Sequence, residues 1–298
     1  MNAALEVLGV SSPCVVSVEL DAGEHRRVDA RRRPIYAPAE TVSGTVSVRV
    51  KSGRPLAHRG IQIECVGFID GLRGRRHTRQ ELLSVGLRCE EADVIPAGEV
   101  RRYPFAFVDI DKPYDTYDGI NVRLRYAVRV TVQRPQPYHP IVEECDLAVQ
   151  QATPPPDLNP SIRMEVGIED VLHIEFEYSH SNFHLKDVVI GKIYFLLVRV
   201  KIKRMEIEIR RRENVRGLHS ELETVAKYEV MDGAPVRGES IPVRLFLAQY
   251  PTLTPTYRSV AGVFTVKYFL NLVMIDEDDR RYWKQHEVFL WRDAKDMA

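Results

Sequence analysis

A period-two alternation of apolar and polar side chains runs through the middle of this chain, and only β-strands with one face in a core satisfy it. Leu172, Ile174, Phe176 and Tyr178 alternate with His173, Glu175 and Glu177. Further on, Val198, Val200 and Ile202 alternate with Arg199, Lys201 and Lys203, after which Met205, Ile207 and Ile209 continue the apolar row on the opposite parity. One extra residue produces such a slip, so residues 188–210 are expected to form one long, curved strand that stays paired across a β-bulge near Arg204.

The first half repeats the pattern. Residues 15–20 suit a first strand, Val42, Val46, Val48 and Val50 alternate with Ser43, Thr45, Ser47 and Arg49, and Ile61, Ile63 and Cys65 continue the theme. In residues 122–132, Val122, Leu124, Tyr126, Val128 and Val130 oppose Arg123, Arg125 and Arg129. That arginine face is expected to pair with carboxylates on neighbouring strands rather than to bind phosphate. Basic stretches at 25–34 and 71–77 read as solvated loops. Thr153-Pro154-Pro155-Pro156-Asp157 has no place in a ladder, because proline lacks the donor and fixes φ, so it marks a boundary. Across that boundary the halves echo each other in order. Val42-Ser43-Gly44-Thr45-Val46 matches Val189-Ile190-Gly191-Lys192-Ile193, Ile95-Pro96 matches Ile241-Pro242, and residues 122–132 match 264–275. The expected fold is all-β, two tandem antiparallel β-sandwiches: an N-terminal sandwich over 1–152, a proline-rich linker over 153–161 and a C-terminal sandwich over 162–298.

Charge and motifs narrow the function. The 298 residues carry 42 Lys plus Arg against 42 Asp plus Glu, so bulk charge gives no footing for nucleic acid. Cys14, Cys65, Cys89 and Cys145 lack metal-site spacing and suit buried, reduced thiols. Residues 1–20 include Glu6 and no basic start, so a signal peptide is not expected. No uncharged apolar run approaches the roughly 20 residues of a spanning helix, so a soluble chain without direct membrane insertion is expected. Asp170, His173 and Glu175 are the best local set of catalytic or metal-ligating groups, but Asp170 precedes the strand on which the other two share a face. His180 and His184 read as surface residues of a turn, and Asp276-Glu277-Asp278-Asp279 as a hairpin tip without the ligand spacing of a calcium loop. Phosphate loops, dinucleotide glycine patterns and nucleophile elbows are absent. The expectation is a non-enzymatic protein with no catalytic residues, no cofactor and no metal, which leaves recognition.

Two stretches suit recognition. A strand ending at Met231 runs into Asp232-Gly233 and Ala234-Pro235, a rigid turn that presents Val230 and Met231 beside backbone unable to continue a sheet. The residues alone leave open whether Met231 packs the second sandwich or meets a partner. Residues 282–291 hold both tryptophans, and at a sheet edge their unpaired backbone would accept an extended peptide. Equally open is the plainer reading, a core Trp291 beside a partly exposed Trp283.

Ile162-Arg163-Met164-Glu165-Val166-Gly167-Ile168-Glu169-Asp170, Leu172-His173-Ile174-Glu175-Phe176-Glu177-Tyr178 and His184-Leu185-Lys186-Asp187-Val188 closely resemble the arrestin-like small subunit of retromer, the vacuolar protein sorting-associated protein 26 family. The likeness resumes in 191–200, 226–247 and 268–292, and more loosely around 114–126. It implies an arrestin-like fold and a non-enzymatic coat subunit, cytoplasmic and peripheral on the cytosolic face of endosome membranes, acting in retrograde and recycling transport. It implies that Val230, Met231, Asp232, Gly233, Ala234 and Pro235 contact the large α-solenoid retromer subunit. It also implies that a sorting nexin and the cytosolic tails of transmembrane cargo meet the edge carrying Val166, Trp283, His286 and Val288, with Val166 and Trp283 forming a slot for a cargo Leu or Met. Relatives usually have Phe where this chain has Trp283, and the larger ring reshapes that slot. Pro38 and Ala152 stand where some relatives carry an acidic and a bulky apolar residue that receive a PDZ-bearing sorting nexin, so the likeness does not extend to that partnership. Two rivals are an arrestin-related trafficking adaptor and the small subunit of a retromer-like complex. Pro154-Pro155-Pro156-Asp157 is not the Pro-Pro-x-Tyr motif expected of the first, and the near-complete Met231 loop stands against the second.

Overall fold

The computed structural model describes residues 12–21, 23, 26–71, 78–168, 170–216 and 220–297. The first eleven residues, on which much of the signal-peptide expectation rests, and most of the basic stretch at 71–77 lie outside the described residues. The chain divides into two compact units, Met1–Asp118 with Val122–Gln151, and Gly119–Asn121 with Ala152–Ala298.

In chain order the first unit contains β1 (Cys14–Leu20), β2 (Ile35–Tyr36), β3 (Val42–Val50), β4 (Leu56–His58), β5 (Gly60–Gly71) and β6 (Arg79–Glu90). These are followed by β7 (Asp93–Ile95), β8 (Val100–Phe107), β9 (Tyr117–Asp118), β10 (Val122–Gln133) and β11 (Ile141–Val149). One sheet has the order β1-β3-β8 and the facing sheet β2-β11-β10-β5-β6, with β9 beside β10 and a small β4-β7 ribbon. The second unit contains β12 (Ile162–Ile168), β13 (Leu172–Tyr178), β14 (Asn182–His184), β15 (Val188–Val198) and β16 (Ile202–Val215). It continues with β17 (Glu221–Asp232), β18 (Ser240–Phe246), β19 (Tyr257–Val260), β20 (Phe264–Asp276) and β21 (Arg281–Trp291). Its sheets run β12-β13-β15-β18 and β14-β21-β20-β16-β17, with β19 beside β20. The only helical pieces among the described residues are two short 3-10 turns, Leu247–Gln249 and Ala294–Met297.

The two units are copies of one design. Apart from β12 and the β4-β7 ribbon, the strand orders superpose term by term, down to a short parallel strand at one edge, β2 on β11 and β14 on β21. Both copies need a glycine at one crossing. A Cβ on Gly44, opposite Leu20, would lie 2.3 Å from the Glu19 carbonyl oxygen, and one on Gly191, opposite Tyr178, would lie 2.5 Å from that of Glu177. Next to those glycines Thr45 pairs with Pro104 and Lys192 with Pro242. The proline echo therefore joins Pro104 to Pro242; Ile95-Pro96 lies before β8, whereas Ile241-Pro242 lies inside β18. Both prolines sit on edge strands, where a missing N–H breaks no ladder bond.

The alternating rows fill the cores as expected. Leu172, Ile174, Phe176 and Tyr178 are buried, as are Val42, Val46, Val48 and Val50. Each such side chain contributes roughly 1.5–3 kcal/mol relative to exposure. One expectation is corrected. Residues 188–210 are two strands, because the chain leaves the ladder at Arg199–Lys201 and crosses from the sheet of β15 to the facing sheet of β16. The slip near Arg204 is a β-bulge, between Ile202 and Arg204 in the β16–β20 pairing.

The arginine face of β10 is paired. Arg123 meets Asp118 at 2.9 Å and Asp146 at 3.4 Å, Arg129 meets Glu144 at 2.8 Å, and Arg125 also bonds Glu144. The basic stretch at 25–34 is only partly solvated. Arg33 is buried between Asp29 and Asp118, and Arg26 lies on the Tyr36 ring and pairs with Glu40 at 2.6 Å. All four cysteines are free; Cys14 and Cys65 are buried, and burial pushes the Cys65 thiol up to about 11.

His58 is fully enclosed, with neither ring nitrogen hydrogen-bonded and the nearest carboxylate, Glu90, 3.9 Å away. Burial holds its pKa below the ordinary histidine value. The unfolded chain therefore takes up a proton near pH 6.5 that the folded chain refuses. Stability from this site is complete above that pH and is lost as the pH falls below it. Melting curves should show Tm decreasing between about pH 7 and 5.5, with a shallower slope in His58→Leu. Because burial also depresses His286, the slope should shrink rather than vanish.

Candidate functional site

β17 is the outermost strand of its sheet and, among the described residues, pairs only with β16. Met231 lies opposite Met205 and Glu229 opposite Glu206, so Val230 is an extra residue, a bulge in an edge strand. Val230 and Met231 are half-buried, and Asp232, Gly233 and Ala234 are exposed. Gly233, at φ 117°, donates its N–H to the Lys203 carbonyl at 2.9 Å. Pro235 is buried, Val236 is 67% exposed, and the Val236 N–H donates to the Glu239 carboxylate at 2.9 Å. Gly238, at φ 86°, donates to the Phe195 carbonyl at 2.7 Å, and the Phe195 N–H donates to Glu239 at 3.0 Å. The loop thus crosses from one sheet to the other and is fastened to each. A fastened loop presents its apolar groups without first paying for order. Val236 and Tyr228, the latter 38% exposed, both within the stretch 227–240 that the sequence singles out, add to the apolar set of Val230 and Met231.

β17 lies beside β18, which puts β12 and β21 on the opposite side of the same sandwich. β14 covers the outer backbone of β21 only at Phe289–Trp291, so the backbone from Arg281 to Val288 forms an open edge among the described residues. The residues before β12 are stitched to this side: Thr153 bridges Arg292, and the Asn159 side chain accepts the Asn182 N–H at 2.8 Å. Val166 is half-buried on the inward row of β12 with Ile162 and Met164. His286 and Val288 share the inward row of β21, where Val288 is core at 2% exposure. Trp283 is on the other face, 58% exposed and opposite Val273. The four expected edge residues therefore lie on one side of the sandwich but on different faces of their strands.

The face carrying Trp283 is polar and tightly paired. Glu208 is buried, accepts from the Asn271 amide at 2.9 Å and pairs with Arg210 at 2.7 Å, Lys227 at 3.4 Å and Arg281 at 3.5 Å. Burial alone would raise its pKa, but the bonds from Asn271 and Arg210 and the nearby cations outweigh that and hold it below the usual carboxylate value. Trp283 is the large apolar group offered beside this network.

Pairing of β12 with β13 also assembles a set that includes a residue missed in the sequence. Glu165 lies opposite Glu175, Gly167 lies opposite His173, and the ligand atoms of Glu165, His173 and Glu175 fall within 4.8 Å of one another. Asp170 sits in the turn at φ 58° and is not part of the group. Among the described residues no hydrogen-bonded neighbour orients either carboxylate for a metal, and Glu165 is exposed. His184 corrects another expectation. It is half-buried and held rather than free at the surface, since its Nε2 lies 2.6 Å from Asp296 and its ring packs edge-on to Trp291 at 4.7 Å.

Two repeated β-sandwiches in tandem define an arrestin-like scaffold. The chain belongs to the vacuolar protein sorting-associated protein 26 family, whose model matches residues 11–279. It is 47% identical over 309 residues to vacuolar protein sorting-associated protein 26B of Arabidopsis thaliana, covering 98% of this chain and 99% of that protein. It is 49% identical over 280 residues to the 26B proteins of Homo sapiens and Xenopus tropicalis, covering 90% of this chain and 80% of each.

Opposite placements on one strand make a clean comparison. Val288→Ala should lower stability by about 2 kcal/mol through lost burial and a cavity, whereas Trp283→Ala should stay within about 0.5 kcal/mol. Denaturant unfolding of the two variants measures both.

Proposed function

We propose that this chain is the arrestin-like subunit of a retromer coat, joined to the large α-solenoid subunit through the loop after β17. The observation that carries this is the fastened loop of a family member: Val230 and Met231 at a bulged edge, with Val236 beside them and both ends of the turn bonded to separate sheets. Such a surface has the form of an interface hot spot, a preorganised apolar centre with a polar rim of Asp232, Arg237 and Glu239. Family membership supports a role in vacuolar protein sorting and hence in endosomal traffic. No helix among the described residues is long and apolar enough to cross a membrane, which is compatible with a peripheral place at the endosome's cytosolic face.

The other side of the same sandwich is proposed as the meeting place of a sorting nexin and the cytosolic tail of transmembrane cargo. Main-chain groups of β21 between Arg281 and Val288 would receive an extended tail, with Val166 and Trp283 offering apolar contact. Neither contact requires chemistry on the partner, in keeping with a trafficking subunit rather than an enzyme.

Calorimetry with the solenoid subunit of the same organism tests the reading. Met231→Asp should weaken binding about a hundredfold or more, near 3 kcal/mol, while Tm stays unchanged. Trp283→Ala should leave that affinity intact. No binding by the wild type would remove the assignment to this coat, and binding indifferent to Met231→Asp would move the contact to another face.

A further inference from the structure

The outward face of β1, β3 and β8 holds a cleft of about 490 Å³, lined by Val15, Ser17, Glu19, Thr45, Ser47, Arg49, Val100 and Arg102. Register fixes its layout. Val15, Arg49 and Val100 form one cross-strand row, and Ser17, Ser47 and Arg102 form the next. Arg49 and Arg102 are thus diagonal neighbours on adjacent strands. Neither has an ion-pair or hydrogen-bond partner among the described residues, in contrast to Arg123, Arg125 and Arg129 on β10. The one carboxylate lining the cleft, Glu19, lies opposite Thr45 in the row beyond that of Arg102. Two arginines placed diagonally on one outward sheet face put two unneutralised positive charges on the same cleft, and the side-chain hydroxyls beside them add donors.

We propose that this cleft binds a phosphorylated serine or threonine in an extended peptide. Paired arginines recognise a phosphate's oxygens with charge-assisted, forked hydrogen bonds, and Ser17, Thr45 and Ser47 can donate to the remaining oxygens. Exposed Val15, at 53%, and Val100, at 37%, flank Arg49 and offer apolar contact to the residue beside the phosphate. Two arginines fall short of the four to eight basic residues that typically draw a segment to an anionic lipid surface, so the observations favour a peptide over a membrane. The inference does not depend on the loop after β17.

Fluorescence anisotropy decides it, using a short labelled peptide of Gly, Ala and Val with a central phosphoserine, beside the same peptide with serine. The phosphopeptide should bind about tenfold or more tightly than its serine twin, with free inorganic phosphate competing. The double variant Arg49→Ala/Arg102→Ala should abolish the preference without altering Tm or solenoid binding, and Glu19→Gln should strengthen it. Equal affinity for the two peptides, or a preference that survives the double variant, would overturn the proposal. Stronger capture by phosphoinositide vesicles than by the phosphopeptide, through the same arginines, would overturn it in favour of a membrane contact.

Discussion

The second unit hangs on the burial of one strand from both sides. Along β20, Tyr268, Leu270, Leu272 and Met274 face the core, yet Phe269, Asn271, Val273 and Ile275 on the outward row are also almost completely covered. Long cationic side chains close that outer row, as where Arg212 lies over Phe269 at 4.6 Å. Because β16, β19 and β21 all take their register from β20, the positions of both edges of this sheet follow from it. The Glu208 network is the polar part of the same covering, bonded to Asn271 in the middle of the strand. A carboxylate that deeply placed is tolerated only with its partners present, so the outer face is fixed as firmly as the core.

From that frame two opposite borders emerge with different characters. The β17 border is irregular, with Val230 bulged and the following loop tied to both sheets, so it offers side chains on a rigid support. The β21 border is regular and offers backbone along Arg281 to Val288. One sandwich therefore presents two unlike margins on opposite sides, one of side chains on a fastened loop and one of unpaired backbone. Repetition of the strand order in the first unit supplies a second scaffold of the same type, with a different surface.

Much of this was legible before any coordinates. Period-two rows located the strands because a sheet with one buried face cannot disguise its alternation, and the ordered echo of Gly44 in Gly191 announced the repeat. What stayed hidden was pairing. Residues 198–202 keep alternating while the chain passes from β15 to β16, so the pattern carried no mark of a change of sheet. Glu165 joins His173 and Glu175 only through the antiparallel register of β12 with β13, and the Val230 bulge exists only relative to the residues counted on β16. The turn signals around Gly233 and Pro235 located a turn, but burial of Pro235 and exposure of Val236 depend on where the loop is tied. Trp283 and Val288 illustrate the same limit, since parity separates their faces but does not say which face is covered.

Pro104 and Pro242 have a further meaning. Each occupies the same place in its own sandwich, one step beyond the obligatory glycine and on the outermost strand, where its ring leaves no N–H for a newcomer. An open border with that gap resists fusion with a second molecule. Both sandwiches carry the same gap, so each unit guards its own exposed border against edge-to-edge pairing without help from the other.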